Sequence, residues 1–184
     1  MNLEVVSATP ADLKSIMKLE HEGFVAGIRE NAEVFLRRVE VFPNGFLLLK
    51  RDDAVVGYLS SEIWPYRDPF EPDWFLLGHD ISTRHKADGD ELYVSSMTIL
   101  PEFRGQGMGS DLFRTALRQL EERYNGLHSC ILLVNERWDH ARRIYDSLEF
   151  RRIGTLKQFF QPQGLPASDG WICRRPLPLT NVST

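Results

Sequence analysis

Cysteine is scarce in this chain: Cys130 and Cys173 are the only two in 184 residues. Two cysteines cannot make the disulfide framework that staples small secreted domains. Long apolar runs are also missing. The stretches 46–49 and 131–134 hold four residues each, against about 20 for a membrane-crossing helix. The first residues, Met1-Asn2-Leu3-Glu4-Val5, lack the basic and apolar regions of a secretory signal. The expected setting is therefore cytoplasmic, with both thiols reduced and in the core. Positive charge is not in excess, because 22 Lys and Arg face 26 Asp and Glu for a net charge of −4. Neither a nucleic-acid partner nor a membrane partner is expected. The histidines His21, His79, His85, His128 and His140 lack metal-ligand spacing among themselves or with the cysteines, so no metal is expected. No serine sits in a Gly-x-Ser-x-Gly elbow.

What remains is ordinary globular composition, 42% apolar and 26% charged. The length suits one domain over residues 1–184. Residues 3–7 read as a strand. Thr9-Pro10-Ala11-Asp12 starts a helix, with Thr9 as cap, Pro10 at the first turn and Asp12 on the positive end. Asn31 caps a second helix carrying Phe35, Val39 and Phe42, which stops at Pro43-Asn44-Gly45. Residues 46–50 and 54–61 form a hairpin. Residues 64–90 carry Pro65, Pro69 and Pro72 among many aromatics, and read as a long ordered loop with a short helix. Strands are expected at 91–99, 129–134, 151–160 and 170–175, with helices from the glycine turn to Arg123 and at 139–148. This order implies an α/β fold: a mixed, mostly antiparallel central sheet flanked by helices.

The informative segment is Arg104-Gly105-Gln106-Gly107-Met108-Gly109-Ser110. A strand leads into three glycines that open an amphipathic helix. Glycine lets the backbone approach a ligand and take positive φ, and the first helical amides are unpaired at the positive end of the helix dipole. This is a site for a phosphate or pyrophosphate, with Arg104 adding charge at its edge. A P-loop would need a lysine before Ser110, and a dinucleotide fingerprint would need a third glycine where Ser110 stands.

The segment resembles the Gln/Arg-x-x-Gly-x-Gly/Ala signature of the GNAT superfamily of acyl-CoA-dependent N-acyltransferases. Ala141 to Phe150 is similar to that family's Ala-x-x-x-Tyr-x-x-x-Gly-Phe segment, and Ala54 to Leu59 to its third strand. The resemblance spans residues 3–176. It departs at Glu149, where the family has glycine, and at Trp138, where an asparagine is common. The resemblance implies an N-acetyltransferase that moves an acetyl group from acetyl-CoA to a primary amine by direct attack on the thioester. Its alternative is a catalytically weak acyl-CoA-binding regulatory module. The resemblance places the pyrophosphate on Arg104, Gly105, Gln106, Gly107, Met108, Gly109 and Ser110, and the pantetheine arm along Met97, Thr98 and Ile99. It makes Tyr145 the proton donor to the leaving thiolate; by spacing alone Tyr145 packs with Ile144 and Leu148. Glu91 is the expected base, with Glu62, His79 and Asp80 as other candidates and Tyr93 and Ser95 as holders of a relay water.

Charge is unevenly placed. Residues 1–100 hold 10 Lys/Arg against 17 Asp/Glu, and residues 101–184 hold 12 against 9. Glu62, Asp68, Glu71, Asp73 and Asp80 cluster in or beside the long loop. The expected acceptor is thus a small-molecule or peptide amine that is cationic when free. A homodimer is compatible with the sequence.

Overall fold

A computed structural model of the chain describes residues 2–178. Seven strands form one sheet in the order β1-β2-β3-β4-β5-β7-β6. They are β1 (Leu3–Ser7), β2 (Phe46–Arg51), β3 (Ala54–Trp64), β4 (Glu91–Ile99), β5 (Ser129–Asn135), β6 (Arg151–Phe160) and β7 (Ser168–Pro176). Every neighbouring pair is antiparallel except β4 and β5, which are parallel. The helices are α1 (Leu13–Gly23), α2 (Ala32–Val41), the short α3 (Ile81–Arg84), α4 (Met108–Arg123) and α5 (Asp139–Ser147). No helix among the described residues is long and apolar enough to cross a membrane.

Local chemistry explains the element boundaries. Thr9 and Asp12 form a reciprocal capping box over a 3-10 turn at Pro10–Asp12, which feeds α1. Asn31 Oδ1 accepts the Val34 N–H at 3.0 Å and so starts α2. Side chains alternate across a strand, and this sorts the helices. Tyr58 pairs with Thr98, and a Cβ on Gly23 of α1 would lie 2.3 Å from Thr98 Oγ1. The next pair, Gly57 and Ile99, shares the other face, where Ile99 comes near Gly109 at the start of α4. The helices α1 and α4 therefore cover opposite faces.

Two features shape the middle of the sheet. β4 carries an extra residue: Ser60 pairs with Ser96 but Ser61 pairs with Val94, leaving Ser95 as a bulge. Beyond it, β4 and β5 part. Their ladder runs only from Glu91–Ser129 to Val94–Leu132, although β4 continues to Ile99 and β5 to Asn135.

β3 extends to Trp64, beyond the polar Ser60-Ser61-Glu62 where its sequence pattern fades. These polar residues are buried and satisfied: Ser61 Oγ donates to the Gly45 carbonyl at 2.9 Å, and Trp64 Nε1 donates to Glu62 at 3.0 Å. Residues 64–90 are ordered because their aromatics build a second, smaller core. Trp64, Trp74, Phe75, Tyr93, Ile131 and Ile172 pack there, with Trp64 stacked on Tyr93 at 3.9 Å. Glu149 takes φ of +62°, so the position where glycine was expected does use the left-handed conformation that glycine favours.

Candidate active site

An open cleft begins where β4 and β5 part. Residues 93–97 of β4 form one wall. Leu133 and Val134 of β5, with Ala141 and Tyr145 of α5, form the facing wall. The mouth is closed by Glu20 and Phe24 from the end of α1, Ile28 and Glu30 from the loop that follows, and Leu77 and Phe160. Trp138 lies 5.5 Å from Phe24 and 5.1 Å from Phe160, ring to ring, making one aromatic wall from three elements. The loop after α1 is pinned to the β6–β7 connection by the Gln163 N–H, which donates to the Ala26 carbonyl at 2.7 Å.

The glycine turn has the geometry of an anion cradle. Gly107 is the N-cap of α4 in the left-handed conformation, φ +83°, and Gly105 has φ +75°. The first amides of this 16-residue helix lack intrahelical acceptors. Met108 anchors the helix start in the core. Gly109 serves packing: a Cβ there would stand 3.2 Å from Ile144 Cδ1 of α5. The turn is also internally braced. Arg104 Nε donates to the Ile99 carbonyl at 2.9 Å and Nη2 reaches Thr98 Oγ1 at 3.5 Å, so its guanidinium turns back toward β4. Gln106 Nε2 donates to the Glu102 carbonyl at 3.1 Å, and Arg114 Nε to Ser110 Oγ at 3.4 Å. Met97 lines the cleft. Thr98 turns its side chain toward α1, and the Ile99 carbonyl already accepts from Arg104.

Tyr145 lies in the cleft wall, its ring 5.3 Å from Phe113 and 5.8 Å from Phe150. Burial pushes its phenol well above the ordinary tyrosine range, with the nearby thiols of Cys130 and Cys173 adding to the effect. An ordinary tyrosine is already protonated at neutral pH, so the shift leaves its hydroxyl a hydrogen-bond donor and a weaker acid.

Glu91 is not brought together with Tyr145. It opens β4 at the end away from the bulge, where Arg174 Nε donates at 2.7 Å, Nη2 at 3.1 Å and Ser129 Oγ at 2.8 Å. Its carboxylate lines a separate small recess with Trp64, Phe70 and Arg174. Burial raises its pKa, while Arg174 and Ser129 pull it down. Both carboxylate oxygens of this expected base are held by Arg174, and Glu91 is not among the residues that line the cleft. Three of the acidic loop residues are likewise engaged with other groups. Glu71 pairs with Arg67, Asp80 caps α3 at Ser82, and Glu62 is buried against His79 and Trp64. Of the relay-water candidates, Tyr93 and Ser95 do line the cleft. Ser95 Oγ donates to Ser60 Oγ at 3.0 Å.

The acidic groups that do border the cleft, Glu20 and Glu30, were missed in the sequence. One signal was available: Glu20 falls four residues after Ile16 and beside Leu19, on the buried stripe of α1. A carboxylate on that stripe needs partners. Among the described residues, no group of three or more His, Cys, Asp or Glu could hold a metal ion.

Comparison with known proteins agrees with this geometry. The model of the acetyltransferase (GNAT) family matches residues 13–150. An N-alpha-acetyltransferase of Saccharolobus solfataricus is 23% identical over 145 residues, covering 78% of this chain and 75% of the relative. The loading GNATL domain of CurA from Lyngbya majuscula superposes with a TM-score of 0.80 at 15% identity, covering 96% and 98% of the two chains. The GphF GNAT-like decarboxylase, solved with isobutyryl-CoA, gives 0.76 at 18% identity, covering 95% and 100%. At these identities the two structures establish the shared fold.

Proposed function

The chain belongs to the acetyltransferase (GNAT) family, and on that premise we propose that it transfers acetyl from acetyl-CoA to the α-amine of a peptide by direct attack on the thioester. The observation that carries this reading is the cleft between β4 and β5, lined by Tyr145 and buried carboxylates, with the glycine turn following directly on the end of β4. The pyrophosphate lies on the amides of residues 105–110, and the pantetheine arm runs along the β4 edge that β5 leaves unpaired after Val94. Extended ligands add to such an edge by main-chain hydrogen bonds. The thioester then lies in the cleft between the bulge at Ser95 and Tyr145. A donor beside the developing oxyanion favours the tetrahedral intermediate, and the Tyr145 hydroxyl meets the leaving sulfur. The acceptor enters past Phe24, Ile28 and Phe160, which suit an apolar first side chain, and its amine end faces the side of the cleft that Ser96 and Glu20 line. The Saccharolobus relative's name, an N-alpha-acetyltransferase, supports an α-amine over other amines.

The test is thiol release from acetyl-CoA with peptides bearing free or blocked N-termini, together with calorimetry on Gly107→Glu. No heavy atom lies within 4 Å of a Cβ built at Gly107, so the glutamate meets open space, and the cost of the change is the backbone strain of a side chain at φ +83°. Thiol release with free N-termini only, and acetyl-CoA binding lost in Gly107→Glu, are the expected results. Unchanged binding in a folded variant would put the cofactor elsewhere. Equal turnover with blocked N-termini would reject the α-amine.

A further inference from the structure

A line of hydroxyls leads from the cleft to a buried carboxylate. Ser96 on β4 and Glu20 on α1 both line the cleft, while Tyr58 on β3 between them is fully buried. Tyr58 Oη donates to Glu20 Oε2 at 2.5 Å and is 2.9 Å from Ser96 Oγ. The Glu30 N–H holds the other Glu20 oxygen at 2.9 Å. A buried carboxylate costs stability that an apolar residue would not. This one is joined through two transferable protons to the side of the cleft opposite Tyr145.

We propose that Ser96, Tyr58 and Glu20 form a proton relay that converts the bound acceptor from ammonium to free amine. The inference rests on the acetyl transfer described above. The ammonium N–H passes its proton to Ser96 Oγ as the Ser96 proton moves to Tyr58 Oη and the Tyr58 proton moves to Glu20 Oε2. Both hydroxyls end neutral, and Glu20 ends as the carboxylic acid. The freed nitrogen lone pair forms the C–N bond at the thioester carbonyl. The C–S bond then breaks, and the second nitrogen proton leaves for the thiolate, by way of the Tyr145 hydroxyl. Glu20 returns its proton to solvent after the amide departs.

The surroundings suit a proton acceptor. Glu20 is faced by Tyr58 from β3, Glu30 from the loop after α1, Arg38 from α2, and Tyr93 and Ser96 across the cleft from β4. Burial, the largest influence, and the Glu30 charge raise its proton affinity above that of an ordinary glutamate, against the hydrogen bonds from Tyr58 and Glu30 and the charge of Arg38. Ser96 is the group that meets substrate; Tyr58 and Glu20 act through it.

The experiment compares wild type with Ser96→Ala, Tyr58→Phe, Glu20→Gln and the Tyr58→Phe/Glu20→Gln double variant. It reads kcat/KM across pH with a peptide acceptor, and the acetyl-CoA Kd by calorimetry. A peptide α-amine has a pKa near 8, so near pH 7 only about a tenth is neutral in solution. Each variant is expected to lose about tenfold near pH 7, the share of acceptor that is not already neutral, and to recover to within about threefold near pH 9.5. The Kd should hold, and the double variant should be no slower than the worse single one. Ser96→Ala, at a half-buried position, keeps the test open if a variant in the buried pair fails to fold. Deficits that stay constant across pH, or that multiply in the double variant, assign these residues a structural role and overturn the relay. Variants as active as a wild type that does transfer acetyl overturn the relay alone. A wild type that transfers to no amine overturns the functional reading and the relay with it.

Discussion

Arg38 and Glu30 face each other as a two-pronged ion pair out of solvent. Nη1 donates to Oε2 and Nη2 to Oε1, each at 2.7 Å, with side-chain exposures of 2% and 5%. The Gly78 N–H adds a third contact to Glu30 at 2.6 Å. Helix α2 and two segments that line the cleft mouth, the loop after α1 and the 64–90 excursion, thus meet at one carboxylate. Burial alone would raise the Glu30 pKa, but Arg38 reverses that and holds it below the usual range.

Arg38→Met should therefore destabilise the fold strongly, because it leaves a carboxylate buried and unpaired. Breaking such a pair costs about 3–5 kcal/mol. Adding Glu30→Gln to Arg38→Met should recover part of the loss. Urea unfolding of both variants measures this. A double variant less stable than Arg38→Met would contradict the argument.

Tyr145→Phe keeps the ring packed on Phe113 and Phe150 and removes only the donor. The expected outcome is a kcat lower by about 10²-fold or more, with little change in acetyl-CoA affinity or Tm. Steady-state kinetics and calorimetry on one preparation separate the two effects. A near-normal kcat would leave Tyr145 a packing residue.

Glu149 holds φ of +62° without the freedom of glycine. A left-handed non-glycine residue costs about 1 kcal/mol, which in a chain of this size is roughly 2–4 °C in Tm. Glu149→Gly should raise the melting temperature by about that amount, read by calorimetry at neutral pH. A drop in Tm would mean that the glutamate side chain contributes more than its backbone costs.

His85 is a pH-sensitive tie between α3 and β3. Its Nδ1 accepts the Ile63 N–H at 3.1 Å, and its ring stacks on Phe42 at 4.3 Å. Burial, with some help from Lys86 and against Glu62, lowers its pKa below the usual value. The folded state therefore prefers the neutral ring. The stability this gives is complete above the unfolded histidine pKa of about 6.5, and is lost as pH falls through the lower folded value. The Tm advantage of wild type over His85→Gln should shrink as the pH is lowered below 6.5. A gap that does not vary with pH would show that His85 contributes only packing.

The sequence alone determined the order of the elements and the glycine-rich start of α4. These are local matters: turn chemistry at Thr9, Asn31 and Gly107, period-two and period-3.6 patterning, and a glycine-rich helix start each act within a few residues. The glycine signature and the tyrosine segment sit at fixed spacings, so Gly105–Ser110 and Tyr145 were legible. Tertiary structure decided everything that depends on which distant residues meet. Glu91 looked like a base at the head of a strand, yet Arg174, 83 residues away, neutralises it outside the cleft. The acidic loop looked like a lure for a cation, yet three of its carboxylates, Glu71, Glu62 and Asp80, are spent on Arg67, His79 and the start of α3. Glu20 looked like one more helix carboxylate until Tyr58, 38 residues on, closed over it. A charge acquires its meaning from the partner and the dielectric around it, and both are set by contacts between strands and helices that one-dimensional spacing does not record.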